Sequence, residues 1–304
     1  MALGGAVASM LLVGFEFHLR MAEAAVQFLP DQPGRIYGVW PGKHGTNRHG
    51  FHDREWPTDK PAGEKRVVVV GDSMTWGTGG AGDTWTRIAE EELGEGWRII
   101  NLSTYGYDAQ QERATLQATG SFNADLVAIA AYWNDFIPTR VIELGGRRVF
   151  VASDRWGHPR LRKYLGIVRA WDGMMWPAED VSTAEDDLAA AWAGIAHDVL
   201  PTPVFVWVIP PQALSAGIDR CQQPARGRCR AALDLTERLG ATAEALHLPH
   251  GEALPALQAH SNESFYDTPT DWEHPNAAGR RVIGEAFAKA LVAPGLLPSE
   301  RIPQ

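Results

Sequence analysis

Ser73 stands in Gly71-Asp72-Ser73-Met74-Thr75, directly after the apolar run 67–70, and His274 closes the segment Asp271-Trp272-Glu273-His274. A serine hydroxyl is a weak nucleophile until a base removes its proton, and an imidazole is suited to that task near neutral pH. Asp271, three residues before His274, can hold the ring in the useful tautomer and stabilise the imidazolium that forms. Attack on an ester carbonyl creates an oxyanion, which requires preorganised donors. The backbone N–H groups of Ser73 and Gly106 and the side-chain amide of Asn134 are donors of that kind. The candidate set is therefore a nucleophile (Ser73), a base (His274), an orienting acid (Asp271) and three oxyanion donors. Trp76, Tyr132 and Trp133, next to these groups in sequence, are expected to contact the substrate. Taken singly, a serine after a strand reads as a helix cap, Asn134-Asp135 as a turn and D-x-x-H as chance. What distinguishes them is their order at four successive element ends.

The elements that must position these groups alternate in type. Residues 66–70 form a continuous β-branched run after the first residue, Arg66, the pattern of a strand buried on both faces. Further strands are expected at 98–102, 126–131 and 204–209, with a short one at 246–248. Helical patterns occupy 84–93, 108–119, 184–199 and 275–291, with Pro275 suited to a first helical turn. Alternation of this kind implies a parallel sheet covered by helices on both faces. The expected fold is a three-layer α/β/α sandwich with a flavodoxin-like sheet of about five strands. In such sheets the chemistry gathers at the C-terminal strand ends, where Ser73, Ser103 to Gly106 and Asn134 fall. The domain occupies 64–295, behind an N-terminal segment (1–20) and an irregular lead-in arm (21–63), and before a tail (296–304).

Two other chemistries compete for the same residues. Gly77-Thr78-Gly79-Gly80-Ala81-Gly82 has the G-x-G-x-x-G spacing of a dinucleotide loop. Six residues, Gly71 to Trp76, separate it from Val70, however, too far from the strand end to place a pyrophosphate on a helix N-terminus. Asn101 also stands where the acidic ribose partner belongs, and no Gly-Lys-Ser/Thr follows for a P-loop. His44, His49 and His52 cluster in the arm, but no familiar ligand pattern completes them. No metal and no cofactor are expected. A formal charge of −9 over 304 residues argues against nucleic acid as a partner. Hydrophobic and charged fractions of 45% and 21% fit a globular protein with a full core.

Three regions bear on location and partners. Residues 1–15 carry no charged side chain, a length closer to a signal-peptide core than to a bilayer span. An export signal or an N-terminal membrane anchor is expected, with a buried N-terminal helix as the alternative. Cys221 and Cys229 can close a small surface loop as a disulfide, which would point to an oxidising compartment; two free thiols are the alternative. The insertion 140–182 has eight basic residues against Glu143 and Asp154 within 140–169. Leu161, Tyr164, Leu165, Val168, Trp171 and Met175 recur there at helical spacing. That pattern fits a lid helix with solvated basic residues, or a surface for an anionic polymer or lipid headgroups.

The blocks GDS at 71–73, the turn at Gly106, Asn134 and D-x-x-H at 271–274 together resemble the SGNH (GDSL-type) hydrolase family. The segment TNRHGFHDREWP at 46–57 is similar to a lead-in of bacterial envelope members, so the resemblance spans about residues 46–291. It implies Ser73 as nucleophile, Asp271 and His274 as its triad partners, and Ser73, Gly106 and Asn134 as the oxyanion hole. One block departs: the family pattern G-x-N-D reads Tyr132-Trp133-Asn134-Asp135 here, which bears on acyl length rather than on chemistry. The absence of G-x-S-x-G argues against the other large serine-esterase fold. The resemblance implies ester hydrolysis through an acyl-Ser73 intermediate, with O-acetyl groups of an envelope glycan as the simplest substrate. An O-acyltransferase using the same triad is one alternative, and a catalytically silent envelope-anchored binding or assembly protein is the other. The expected location is extracytoplasmic in the cell envelope, with the cytoplasm as the alternative.

Overall fold

The computed structural model describes residues 12–14, 28–29, 38–39, 41–43, 45–77, 79–136, 140–144, 147–151, 182–211, 226–260, 264–266 and 274–297. Asp271, Cys221 and the expected amphipathic helix of the insertion lie outside them, as does nearly all of the N-terminal segment.

Five parallel strands make one sheet: β1 (Lys65–Gly71), β2 (Trp97–Asn101), β3 (Leu126–Ala131), β4 (Val204–Val208) and β5 (His250–Glu252). Their spatial order is 2-1-3-4-5, the flavodoxin-like order. The register explains why β1 after Arg66, and β3 throughout, lack polar residues. Val67 pairs with Ile99 on one side and Leu126 on the other, and Val127 pairs with Val204. Val67 to Val70 are fully buried, and each buried valine contributes about 1.5–3 kcal/mol as an upper bound.

The fifth strand corrects the expected one at 246–248. A helix runs over Arg226–Ala245, and its end consumes those residues: Leu246 N donates to Thr242 O at 3.1 Å and Leu248 N to Ala243 O at 2.9 Å. The chain then pairs at His250–Glu252 with Val206 to Val208.

Seven helices are used below: α1 (Ser73–Trp76), α2 (Trp85–Leu93), α3 (Ala109–Thr119), α4 (Ser182–Asp198), α5 (Arg226–Ala245), α6 (Leu254–Ala259) and α7 (Ala277–Leu291). They cover the sheet as two packed groups, α2 with α6 and α7, and α3 with α4 and α5. In the first group the Trp85 ring meets Phe287 edge-on at 5.0 Å. In the second, Arg113 Nε donates to Asp198 Oδ2 at 2.8 Å across α3 and α4. Within the insertion, Arg140–Leu144 and Arg147–Val151 pair as an antiparallel hairpin, which the sequence did not announce.

The lead-in arm is fastened to the sheet by a buried cation. Arg66, 0% exposed, donates to the carbonyls of Thr58 (3.1 Å), Asp59 (3.2 Å) and Phe122 (2.8 Å), and its Nε donates to Glu64 at 2.7 Å. A buried guanidinium is tolerated because its donors are matched by acceptors. His49 of the arm stacks on Trp56 at 5.1 Å.

Candidate active site

Each letter of GDS has a separate physical task. Gly71 ends β1 where a Cβ would come within 2.7 Å of Thr75 Oγ1 and 3.1 Å of Ala130 Cβ, so no side chain fits. Asp72 is the N-cap of α1: its carboxylate accepts from Met74 N at 2.9 Å, while its carbonyl accepts from Trp76 N at 2.9 Å. Because the aspartate does the capping, the serine does not, and the Ser73 hydroxyl is left for another partner. That partner is His274, whose Nε2 lies 3.0 Å from Ser73 Oγ.

His274 is delivered by the opposite end of the chain. The Tyr266–Pro275 bridge and the Asn276 N to Phe265 O bond (2.8 Å) hold its loop. The last helix starts at Ala277, not at the expected 275, because Asn276 is the N-cap and accepts from Gly279 N at 3.0 Å. Arg280 in the first turns of α7 donates to Pro275 O at 2.9 Å and pairs with Asp83. The Gly-rich loop after α1 is thereby tied to the loop that carries the base. Gly79 packs flat against this ion pair, where a Cβ would meet Asp83 Oδ2 at 2.5 Å. That close approach accounts for Gly79 and a positive φ of 83° for Gly77, whereas a Cβ at Gly80 or Gly82 would meet nothing within 4 Å.

The oxyanion candidates sit along the same sheet edge. Ser73 N, at the first position of α1, has no acceptor among the described residues. Gly106 (φ 73°) is exposed in the turn after β2, and Thr104 N donates to Gly71 O at 3.1 Å, tying that turn to the serine turn. Asn134 lies in a 3-10 turn, Trp133–Phe136, after β3. Asp135 holds this turn: its Oδ2 accepts from Tyr132 N at 3.0 Å, one half of a capping box. Asn134 Oδ1 is buried without a partner among the described residues. Ser73 and Asn134 thus follow the two strands between which the strand order reverses, the usual ligand position in this architecture.

Of the aromatic residues expected to contact substrate, Trp76, Tyr132 and Trp133 are 8%, 2% and 1% exposed. Tyr132 and Trp133 pack into the core cluster, and Trp76 stacks on the imidazole of His52. Asp271 lies outside the described residues.

Behind the edge is a group of buried acids that sequence reasoning did not single out. Asp72, Asp108, Glu112 and Asp135 are all at most 4% exposed. Both Glu112 oxygens lack a hydrogen-bond partner among the described residues. Burial pushes the Glu112 carboxyl well above its usual range, and Asp135, Asp72 and Asp108 add to the effect. Asp135 is raised in the same way, by burial first and then by Asp72. Neutral, protonated carboxyls are the physical resolution of such crowding. Among the described residues no acidic or histidine group is arranged to hold a metal.

Comparison with known proteins places this geometry beside several solved structures. No family model and no curated protein matches the sequence. In structure the chain is similar to an inhibitor-bound aryl esterase of M. smegmatis, at 18% identity and TM-score 0.45, covering 75% of this chain and 98% of that one. It is similar to a carbohydrate acetylesterase of Sinorhizobium meliloti, at 16% and 0.47, covering 76% and 99%. It is also similar to a lipolytic G-D-S-L family member of Veillonella parvula, at 15% and 0.46, covering 75% and 98%. Esterases recur among these likenesses. At such low identity no residue role transfers from them, and the roles here rest on the geometry of this chain.

Proposed function

We propose that this protein is a serine esterase working through an acyl-Ser73 intermediate. The observation that carries the proposal is the 3.0 Å contact between Ser73 Oγ and His274 Nε2, made across 201 residues of sequence. It lies within the reach required of a general base and its nucleophile. In the first half-reaction His274 takes the hydroxyl proton as Oγ bonds to the ester carbonyl carbon. The oxyanion is met by the N–H groups of Ser73 and Gly106 and by the Asn134 amide. Collapse breaks the ester C–O bond, and His274 returns the proton to the departing alcohol. Water then attacks the acyl-serine with the same base, releasing the carboxylic acid and free Ser73. The orienting acid in this reading is Asp271, three residues before His274 in sequence.

The finer reading is an O-acetyl esterase acting on a cell-envelope glycan, with residues 1–20 as export signal or anchor. The apolar start of the chain and the basic insertion support it; among the described residues no helix is long and apolar enough to cross a membrane.

A serine-directed fluorescent phosphonate tests the chemistry: the native chain should label and Ser73→Ala should not. Equal labelling of both, or none of either, would sink the esterase reading. Acetate release from acetylated glycans, followed with and without a free acceptor sugar, tests the finer reading. Product that forms only with acceptor would make the protein an acyltransferase. A chain that labels but releases no acetate from glycans would act on other esters.

A further inference from the structure

The nucleophile sits on α1, a single turn of helix, and one turn has no means of holding itself. Its N-terminal end is fixed by Asp72. Its C-terminal carbonyls need partners from elsewhere in the fold. Gly77 N donates to Ser73 O at 3.0 Å. Asn101 Nδ2, at the end of β2, donates to Thr75 O at 2.9 Å. The last carbonyl, Trp76 O, lies 2.6 Å from Nδ1 of His52, a residue of the lead-in arm outside the α/β domain. A carbonyl can only accept, so the proton must be on Nδ1 and the imidazole is the Nδ1–H tautomer. Burial lowers the basicity of this ring, in keeping with a neutral donor.

The same imidazole makes a second contact. Its plane stacks on the Trp76 indole at 4.9 Å and 12°. That indole also meets Tyr105, edge-on at 5.0 Å and 89°. Tyr105 immediately precedes Gly106. His52, Trp76 and Tyr105 therefore form a continuous packed series from the arm, past the serine turn, to the oxyanion turn. Its neighbour Asp53 extends the brace, accepting from the N–H of Asn101 at 3.0 Å.

Resting on the esterase reading, we infer that His52 is a positioning residue for catalysis: its Nδ1–H fixes the turn that presents Ser73, and its ring, through Trp76 and Tyr105, fixes the turn that presents Gly106. His52 touches neither substrate nor the reacting atoms. The arm is then part of the catalytic apparatus rather than a spacer. Misplacement of reacting groups by a fraction of an ångström is enough to slow chemistry while leaving substrate affinity largely intact.

Two substitutions in the full chain separate the contacts. His52→Phe keeps a stacking ring and loses the donor; His52→Asn keeps an amide N–H near the Nδ1 position and loses the stack. The measurements are phosphonate labelling rate at Ser73 and steady-state kinetics with p-nitrophenyl acetate, on variants whose thermal transition shows a folded state. His52→Phe should label about tenfold more slowly and lose about tenfold in kcat, with KM within about twofold. His52→Asn should recover part of that loss. Labelling and kcat of His52→Phe equal to the native chain would overturn the inference, as would a loss carried entirely by KM. Should His52→Phe fail to fold, the native chain supplies the measurement. The His52 Nδ1–H resonance should shift when Ser73 is phosphonylated, and an unmoved resonance would overturn the inference. Failure of the native chain to label at all is a different result, and it removes the esterase reading first.

Discussion

Removing the Asn134 amide is the sharpest test of how the oxyanion edge works. Asn134→Ala should lower kcat by about 10²–10³-fold with little change in KM, because the amide is needed most when charge has developed on oxygen. A change confined to KM would instead make Asn134 a ground-state binding group. Ser73→Ala and His274→Ala should each cost nearly as much as the double substitution, since nucleophile and base act as one unit. Additive losses in ester hydrolysis would show that His274 acts elsewhere. At this scale the sequence was informative where a residue type announces its chemistry: Ser73 and His274 are in contact as their types suggested. It was silent on residues whose work is relational. Nothing in the letters links His52 to Trp76, or Arg280 to Asp83, since those pairs meet only through the tertiary fold.

Among the elements, the arm and β1 share one fastening. Arg66 serves four carbonyl acceptors and Glu64 from a fully buried position. Arg66→Met should cost about 3–5 kcal/mol, the usual consequence of breaking a buried ionic group, read as a lower urea midpoint. A loss below about 1 kcal/mol would mean that the arm is held mainly by its other contacts, such as those of His52 and Asp53. Legibility at this scale followed apolar content. β1 and β3 were plain because every buried position except Arg66 is apolar or small, whereas β5 is His250-Gly251-Glu252, exposed at its ends and three residues long. Helix α5 buries Ala232, Leu235, Thr236, Leu239 and Ala243. The spacing is helical, but alanine and threonine dilute the stripe, and the Gly- and Pro-bearing segment before it reads as loop.

For the whole molecule, the buried acids make stability depend on pH in a defined direction. Glu112 and Asp135 are raised, and Asp53, buried in the arm, is pushed up to about 8. A carboxyl raised by folding binds its proton more tightly in the native state. Its contribution is complete below the ordinary carboxylate range and declines as pH climbs towards the folded value. The protein should therefore be more stable near pH 5 than near pH 8. Each carboxyl fully out of step contributes up to about 1.4 kcal/mol per pH unit. Glu112→Gln, neutral and of equal size, should match the native chain at pH 5, exceed it at pH 8 and flatten the slope of Tm between them. An unchanged slope would show that Glu112 is ionised in the fold. Asp198, held down to about 2 by Arg113, works the other way and loses its contribution as pH falls below about 4.

The distance in sequence between Ser73 and His274 has a further consequence for how the protein is made. Synthesis places the hydroxyl, the sheet edge and both oxyanion turns in the chain well before the imidazole emerges. On the esterase reading, a nascent chain carries an unarmed serine throughout most of translation, and reactivity appears only when α7 docks on α2. Phosphonate labelling would then serve as a timer for completion of the fold, marking finished molecules and passing over those still being built.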